Sequence, residues 1–517
     1  MTLTEFKNES LTDFTAPENR SAMESALEKV RGELGREYPL VAGGRRITGL
    51  ATFDSINPAH KEQVVGRFQK GKKEHVEEAV QAAFDAFETW KRQPVAVRAG
   101  LLLKTAELLR RRKHEFSATM IYEVGKTWPE ADADTAEAID FLEFYAREAY
   151  RWGGEHPVTR IESEQNQLVY IPLGAGAVIP PWNFPLAIMS GMTTAAVVAG
   201  NTVVLKPSSD APWIAYRFFA LLEEAGMPPG VVNFLSGSGA EVGDPLTQHP
   251  KVRFIAFTGS KEVGLHINEG AAKVPKGQLW IKRVIVEMGG KDAIVVDRET
   301  SNLDEAAAAV VASAFGYQGQ KCSACSRLIV DAAIYDEFVP MVVEKTRKLR
   351  IAPPESAEAQ VGPVVNEKAM KKIKEYIEKG AKEGRLLAGG GVEAKDGFYV
   401  EPTVIADVDP RATIAQEEIF GPVLAVIKAK DFDDALRIAN DTQYGLTGAV
   451  FTDNEEKLDR AREEFFVGNL YLNRKCTGAL VGVHPFGGFN MSGTDSKAGG
   501  RDYLGLFLQA KSIARKI

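Results

Sequence analysis

The sequence predicts an α/β protein built from two doubly wound parallel sheets, and three observations carry that reading. Between Val169 and Met288 five short β-rich runs alternate with helical stretches, a second alternation runs from Ala293 to about Val483, and each of the five first runs ends in a loop rich in Pro, Gly, Ser or Asn. Strands joined by helical crossovers make parallel sheets, whose ligands bind outside the carboxyl ends of the strands.

In chain order, a polar helix is expected from about Glu24 to Glu37. An amphipathic helical region follows from Glu74 to about Tyr150, with Val76, Ala79, Val80, Ala83 and Phe84, then Leu101, Leu102, Leu108 and Leu109, at helical spacing. The basic run Arg110–Lys113 reads as a solvated face at a helix C-terminus, where cations complement the dipole. The five strands are Gly176–Ile179, Thr202–Leu205, Val231–Leu235, Phe254–Phe257 and Val284–Val286. Their exit loops are Pro180–Asn183, Lys206–Ser208, Ser236–Gly239, Thr258–Ser260 and Glu287–Gly290. In the second unit Leu303–Phe315, Tyr335–Leu349 and Phe432–Asn440 read as helices, and the apolar and basic alternation of Tyr503–Ile517 reads as an edge strand in need of a partner.

A length of 517 residues suggests roughly three to four domains. Hydrophobic residues at 44% and charged residues at 26% describe a globular chain. The charge sum, 63 basic minus 70 acidic or −7, supplies no surplus to attract a polyanion, so nucleic acid is not an expected partner. Residues 165–205 carry no charge, but Pro172, Pro180, Pro181, Pro185, Gly191 and Gly200 break the run into pieces too irregular to cross lipid, so no membrane association is expected. Three cysteines and an N-terminus without an apolar segment point to a reducing compartment, by default the cytoplasm.

Two clusters hold candidate chemistry. At Phe257–Gly264 a strand meets Gly259, Ser260 and then a helix, whose free N-terminal amides suit a pyrophosphate; the spacing to Gly264 is not the usual dinucleotide fingerprint, and a tight turn competes. At Phe315–Cys322 a helix and a glycine-containing loop deliver one thiol. A lone cysteine is more often a small buried hydrophobe, and none of the seven histidines stands in a recognisable Cys-His context, which disfavours a cysteine hydrolase.

The residues Phe-x-x-x-Gly-Gln-x-Cys at 315–322 and Glu-Met-Gly-Gly-Lys at 287–291 resemble the paired signatures of the aldehyde dehydrogenase superfamily. Pro-Trp-Asn-Phe-Pro at 181–185, Glu-Glu-Ile-Phe-Gly-Pro at 417–422, Lys206–Ser208, Phe257–Gly264 and Pro485–Gly488 agree with it, in order and along essentially the whole chain. The stretches 319–324 and 473–482 are most similar to the branch that oxidises glutamate γ-semialdehyde to glutamate in proline breakdown. The fold that this resemblance implies is aldehyde dehydrogenase-like: a dinucleotide-binding domain at 1–150 and 171–288, a catalytic domain at 289–487, and a β oligomerisation flap at 151–170 and 488–517. A homodimer or a multiple of it is expected.

The resemblance also implies roles. Cys322 is the nucleophile, Asn183 with the Cys322 amide stabilises the oxyanion, and Glu287 is the general base that activates water. Trp182, Lys206, Ser209, Gly259, Ser260 and Gly264 lie along the dinucleotide, and Glu418 and Phe420 hold the nicotinamide end. Ser323, Gly478 and Ala479 anchor the substrate carboxylate, with Phe184 and Phe486 flanking its aliphatic part. No metal is implied. Many NAD-preferring relatives carry a Glu three residues after the lysine, where this chain has Ser209 followed by Asp210. NAD with some NADP tolerance is therefore the expected cofactor. The competing readings are an aldehyde dehydrogenase for another semialdehyde or an aliphatic aldehyde, and a non-catalytic scaffold of the same fold.

Overall fold

The computed structural model describes residues 4–517. Its first seven-stranded sheet contains β1 (Leu40–Ala42), β2 (Arg45–Ile47), β3 (Ala175–Ile179), β4 (Thr202–Leu205), β5 (Val232–Phe234), β6 (Phe254–Thr258) and β7 (Arg283–Glu287), in the order β7-β6-β3-β4-β5-β1-β2. The five strands read from the sequence are its parallel core, and the early hairpin β1–β2 closes one edge in antiparallel fashion. Strands β3 and β4 are buried along their whole length, as a parallel sheet covered on both faces requires.

The second seven-stranded sheet contains β8 (Asp292–Val296), β9 (Cys325–Asp331), β10 (Arg385–Ala388), β11 (Thr403–Ala406), β12 (Val423–Ala429), β13 (Thr447–Phe451) and β14 (Asn469–Leu472), in the order β10-β11-β12-β9-β8-β13-β14. Only β10 runs antiparallel to its neighbour. Four residues separate β7 from β8, so the chain passes from one sheet to the other through the loop Met288–Lys291.

The helical region resolves into α1 (Pro17–Arg31), α2 (Lys73–Trp90), α3 (Val95–Arg111), α4 (Lys113–Val124) and α5 (Trp128–Trp152). The first helix lies earlier than Glu24–Glu37. Pro17 starts it with its φ already helical, and after Arg31 the left-handed Gly35 turns the chain into the short strand Arg36–Tyr38. The basic run closes α3 with Arg110–Arg112 on its solvated face, as expected, and only Lys113 departs from it. Arg110 pairs with Glu9 and Glu143, Arg111 with Glu107 and Arg112 with Glu224, while Lys113 is buried against Asp132 at 3.0 Å. Of the C-terminal segment, Tyr503–Phe507 is a 3-10 turn packed inward and only Leu508–Lys516 is a strand. It pairs antiparallel with Glu164–Pro172, so the edge strand finds its partner in its own chain. Among the described residues no helix is long and apolar enough to cross a membrane.

Under the first sheet's exit loops, Lys126 and Asp134 form a fully buried pair at 3.1 Å. Asp134 also accepts the amide of Ala187 at 2.7 Å, at the start of α6 (Ala187–Val198). The Lys126 ammonium lies over the rings of Phe184 at 4.0 Å and Tyr317 at 4.4 Å, joining the loop that leaves β3 to the turn that precedes Cys322. Replacing one partner strands a buried charge, so Asp134→Ala should destabilise the protein by about 3–5 kcal/mol, whereas the paired change Lys126→Met with Asp134→Leu should recover much of the loss. Thermal unfolding of the three proteins checks this, and equal midpoints for the single and double variants would contradict it.

Candidate active site

The thiol of Cys322 sits at the end of a strained turn. After α9 (Leu303–Phe315; α7 is Pro212–Ala225 and α8 Lys261–Ala272), the residues Tyr317, Gln318 and Gly319 all take left-handed φ values of 48°, 55° and 66°. For the two non-glycine residues this conformation costs of order 1–3 kcal/mol each, and buried hydrogen bonds hold it in place. Tyr317 donates its hydroxyl to the Val124 carbonyl at 2.9 Å, and the Gln318 amide spans the Pro363 carbonyl (2.7 Å) and the Gly362 N–H (3.0 Å). Gln320 accepts the Val365 N–H at 2.9 Å. At Gly319 a Cβ would strike the backbone of Gly421, so close approach as well as φ demands glycine there.

Two loops from the first sheet, after β3 and after β7, meet this turn. Asn183, buried after β3, donates to the Gln320 carbonyl at 3.0 Å, which fixes its side chain beside the thiol loop and leaves its second N–H free for another acceptor. Glu287, the last residue of β7, lines one cavity with Cys322, Phe486, Ser496, Phe141 and Met192. One of its carboxylate oxygens accepts the Ser496 hydroxyl (2.7 Å) and amide (3.2 Å), and the other accepts the Gly488 amide (3.0 Å). Burial pushes the Glu287 carboxyl up to about 7, and these hydrogen bonds hold it from rising further. The chain then passes Gly289 and Gly290, where any Cβ would overlap the Glu418 carboxylate or lie 2.6 Å from the Cys322 carbonyl. That contact explains the glycine pair physically and brings Glu418 to within 3.1 Å of the Gly290 amide.

Electrostatically the site gathers buried carboxyl groups around the thiol. Burial, then the carboxyl groups of Asp292, Glu418 and Glu287, push the Cys322 thiol well above its ordinary value, opposed by the Ser323 amide. Glu418 and Asp292 are pushed up as well, chiefly by burial. Beside them Lys291 is buried without a hydrogen-bond partner, and burial brings its ammonium down to about 7.

The remaining candidates fall into two groups. Trp182 and Phe420 meet edge to face at 5.5 Å, with Phe420 in a left-handed conformation, so the loops after β3 and before β12 converge. Lys206 is buried at the end of β4, brought down to about 8 by burial, with only the Pro207 carbonyl at 3.2 Å as acceptor. Ser260 caps α8 by accepting the Val263 amide, and Gly264 packs against Met288. Ser209 is exposed, and Asp210 accepts Asn366 at 2.9 Å. On the opposite side, Ser323 and the loop 476–479 are joined by Cys476, whose thiol lies 3.4 Å from the Ser323 carbonyl. The amides of Gly478, with φ 78°, and Ala479 donate to no described residue. Phe184 stands on Lys126 rather than in the cavity that Phe486 shares with the thiol and Glu287. Reading the sequence missed Ser496, Gln318 and the Lys126–Asp134 pair. Ser496 follows Pro485–Gly488 by only a few residues, but nothing in that stretch says which carboxylate it meets.

Comparison with known proteins places this arrangement. The profile of the aldehyde dehydrogenase family matches residues 47–513. The chain is 58% identical over 509 residues to a 1-pyrroline-5-carboxylate dehydrogenase of Geobacillus, covering 98% of this chain and 99% of the relative. It is also similar to the crystal structure of 1-pyrroline-5-carboxylate dehydrogenase from Thermus with bound NAD, at 52% identity, a TM-score of 0.98 and full coverage of both chains. Proline utilization A from Bdellovibrio bacteriovorus matches at 45% identity and a TM-score of 0.97, over 99% of this chain and 53% of that one.

Because Cys325 and Cys476 are buried and the half-buried Cys322 holds its proton tightly, iodoacetamide should label one thiol, at a rate that climbs through pH 7–9 without a plateau. Mass-spectrometric mapping against time checks both points, and a plateau below pH 8 would contradict the raised thiol.

Proposed function

The chain belongs to the aldehyde dehydrogenase family, and on that premise we infer that it oxidises L-glutamate γ-semialdehyde, the hydrolysed form of 1-pyrroline-5-carboxylate, to L-glutamate in proline degradation, with NAD as cofactor. The observation that carries the reading is the meeting of Cys322, Glu287 and Asn183 at the junction of the two sheets, with Ser323, Gly478 and Ala479 joined through Cys476 on one side.

What supports the residue roles is their chemistry in place. The Cys322 thiol gives its proton to water, the resulting thiolate attacks the aldehyde carbon, a C–S bond forms, and the carbonyl oxygen takes the negative charge. The free N–H of Asn183 and the Cys322 amide are the donors suited to that oxygen, and removing one such donor typically costs about 10²–10³ in rate. NAD, when bound, supplies the acceptor for the hydride lost from that carbon. The residues fit it: a buried lysine with one weak acceptor, the capped N-terminus of α8, and Glu418 with Phe420 beside the thiol loop. Glu287 then takes a proton from water, the water oxygen attacks the thioester carbon, the C–S bond breaks, and glutamate leaves. A carboxyl near 7 suits a group that must accept a proton and return it near neutral pH. Ser323 and the two unengaged amides can hold the substrate's α-carboxylate.

The same reading assigns 1–150 and 171–288 to cofactor binding, 289–487 to the thiol, and 151–170 with 488–517 to oligomerisation. The ribbon Glu164–Pro172 with Leu508–Lys516, largely exposed, supports a homodimer or a multiple of it. Three free thiols suit the cytoplasm.

Cys322→Ala should abolish NADH formation from glutamate semialdehyde while NAD still binds. Glu287→Gln should keep a first-turnover burst of NADH and slow the following turnovers at least 10²-fold. Stopped-flow absorbance across glutamate semialdehyde and propanal checks both and the substrate class, and a higher kcat/KM for propanal would refute the assignment.

NADP should also be turned over, more slowly than NAD, because no carboxylate at 209 repels a 2′-phosphate and Asp210 is tied to Asn366. Initial rates at equal cofactor concentration test this; complete inactivity with NADP would overturn it.

A further inference from the structure

Beyond Phe486 the chain turns back across the end of β7. Phe486 and Ala498 exchange backbone hydrogen bonds at 2.8 and 2.7 Å, the Met288 amide donates to the Ser492 carbonyl at 2.7 Å, and the Thr494 amide donates to the Val286 carbonyl at 2.9 Å. Glu287 is thereby bridged to Gly493, where a Cβ would lie 2.7 Å from the carboxylate. Ser496 follows, flanked by two left-handed non-glycine residues, Asp495 at φ 53° and Lys497 at φ 51°. Those two unfavourable conformations turn both the amide and the hydroxyl of the buried Ser496 toward the same carboxylate oxygen. The neighbouring cation acts on the carboxylate from a distance and makes no hydrogen bond to it. The Lys497 ammonium donates to the Gly468 carbonyl (2.7 Å) and the Gly487 carbonyl (2.8 Å) and lies 3.0 Å from Asp495.

We propose that Ser496 is a positioning residue for the thioester-hydrolysis step, its hydroxyl orienting the Glu287 carboxylate toward the cavity and stabilising its charge. The proposal rests on the reading of Glu287 as the general base. Of the three donors on this carboxylate, two are backbone amides that any residue would supply, and only the hydroxyl depends on the side chain at 496. The other ionisable groups facing Glu287 are the Cys322 thiol, the Tyr503 phenol and the Lys497 ammonium. Burial raises the thiol and the phenol, which stay neutral through neutral pH, so neither titrates where the base does. Without the hydroxyl the ionised form loses a charge-assisted hydrogen bond, and its protonated form gains by comparison.

The test is the decay of the acyl-enzyme, measured by rapid quench of the full-length protein with NAD and glutamate semialdehyde between pH 5.5 and 9. Ser496→Ala should move the acid limb of that decay upward by about one pH unit. It should leave the NADH burst amplitude and the substrate KM unchanged. Ser496→Cys, close in size with a weaker donor, should shift the limb in the same direction by less, and Ser496→Thr should restore it. A limb that stays in place in both the Ala and Cys variants, while Glu287→Gln abolishes it, overturns the role of Ser496 alone. A limb that survives Glu287→Gln overturns the assignment of the base, and the proposal with it. Loss of burst and decay together without a shift assigns Ser496 to folding and also overturns the proposal.

Discussion

The structure depends on holding a buried thiol among buried carboxyl groups. Cys322 faces Glu287, Glu418 and Asp292, and burial raises all four groups toward their neutral forms. Such a cluster would relax if its loops could move, because each group gains by returning to water. Two features prevent that. The turn Tyr317–Gln320 is bound through side chains to two separate backbone segments, at Val124 and at Pro363–Val365. Glycines at 289 and 290 let Glu418 and the thiol loop come closer than any other residue would permit.

The contacts between the sheets follow from the same constraint. The crossing at Met288–Lys291 has to leave β7, present Glu287, and enter β8 within four residues. The Lys126–Asp134 pair makes a second link, with the ring of Phe184 and the ring of Tyr317 on its ammonium. A buried ion pair is weak evidence of stability, since apolar residues of similar volume often do as well. What it provides here is a fixed geometry: the Phe184 loop and the Tyr317 turn share one cation, so neither can shift without disturbing the other.

Most of the architecture was legible in the sequence because buried parallel strands are short apolar runs that end in turn residues. Thr202–Leu205, Leu303–Phe315 and Phe432–Asn440 were read to the residue. The misreadings are local and share a cause. The first helix was misplaced although Met23, Ala26, Leu27 and Val30 carry the helical period, because its limits are set by Pro17 at the start and the cap at Gly32. Tyr503–Phe507 has apolar residues crowded like a strand, yet Tyr503, Leu504 and Phe507 are turned inward by the core against which they pack. Of the candidate residues, Asn183, Glu287, Glu418 and Phe486 meet the thiol or its loop, whereas Phe184, from the same motif as Asn183, stands on Lys126. Ser496 and Asp134 could not be found in this way, because their partners, Glu287 and Lys126, are specified by tertiary contact and not by spacing.

The donors chosen for Glu287 show why a serine and two amides serve where a lysine would not. An ammonium in direct contact would favour the carboxylate strongly and draw its pKa down by one to three units, leaving a base too weak to take a proton from water at neutral pH. Removing every donor would have the opposite effect and leave a buried carboxyl that stays protonated. Neutral donors at 2.7–3.2 Å lie between these limits and keep the group near 7. Lys497 is adjacent in sequence and could have formed the ion pair, but its left-handed backbone and the carbonyls of Gly468 and Gly487 direct the ammonium elsewhere. The unfavourable conformations at 495 and 497 thus place a dipole, and not a charge, against the carboxylate.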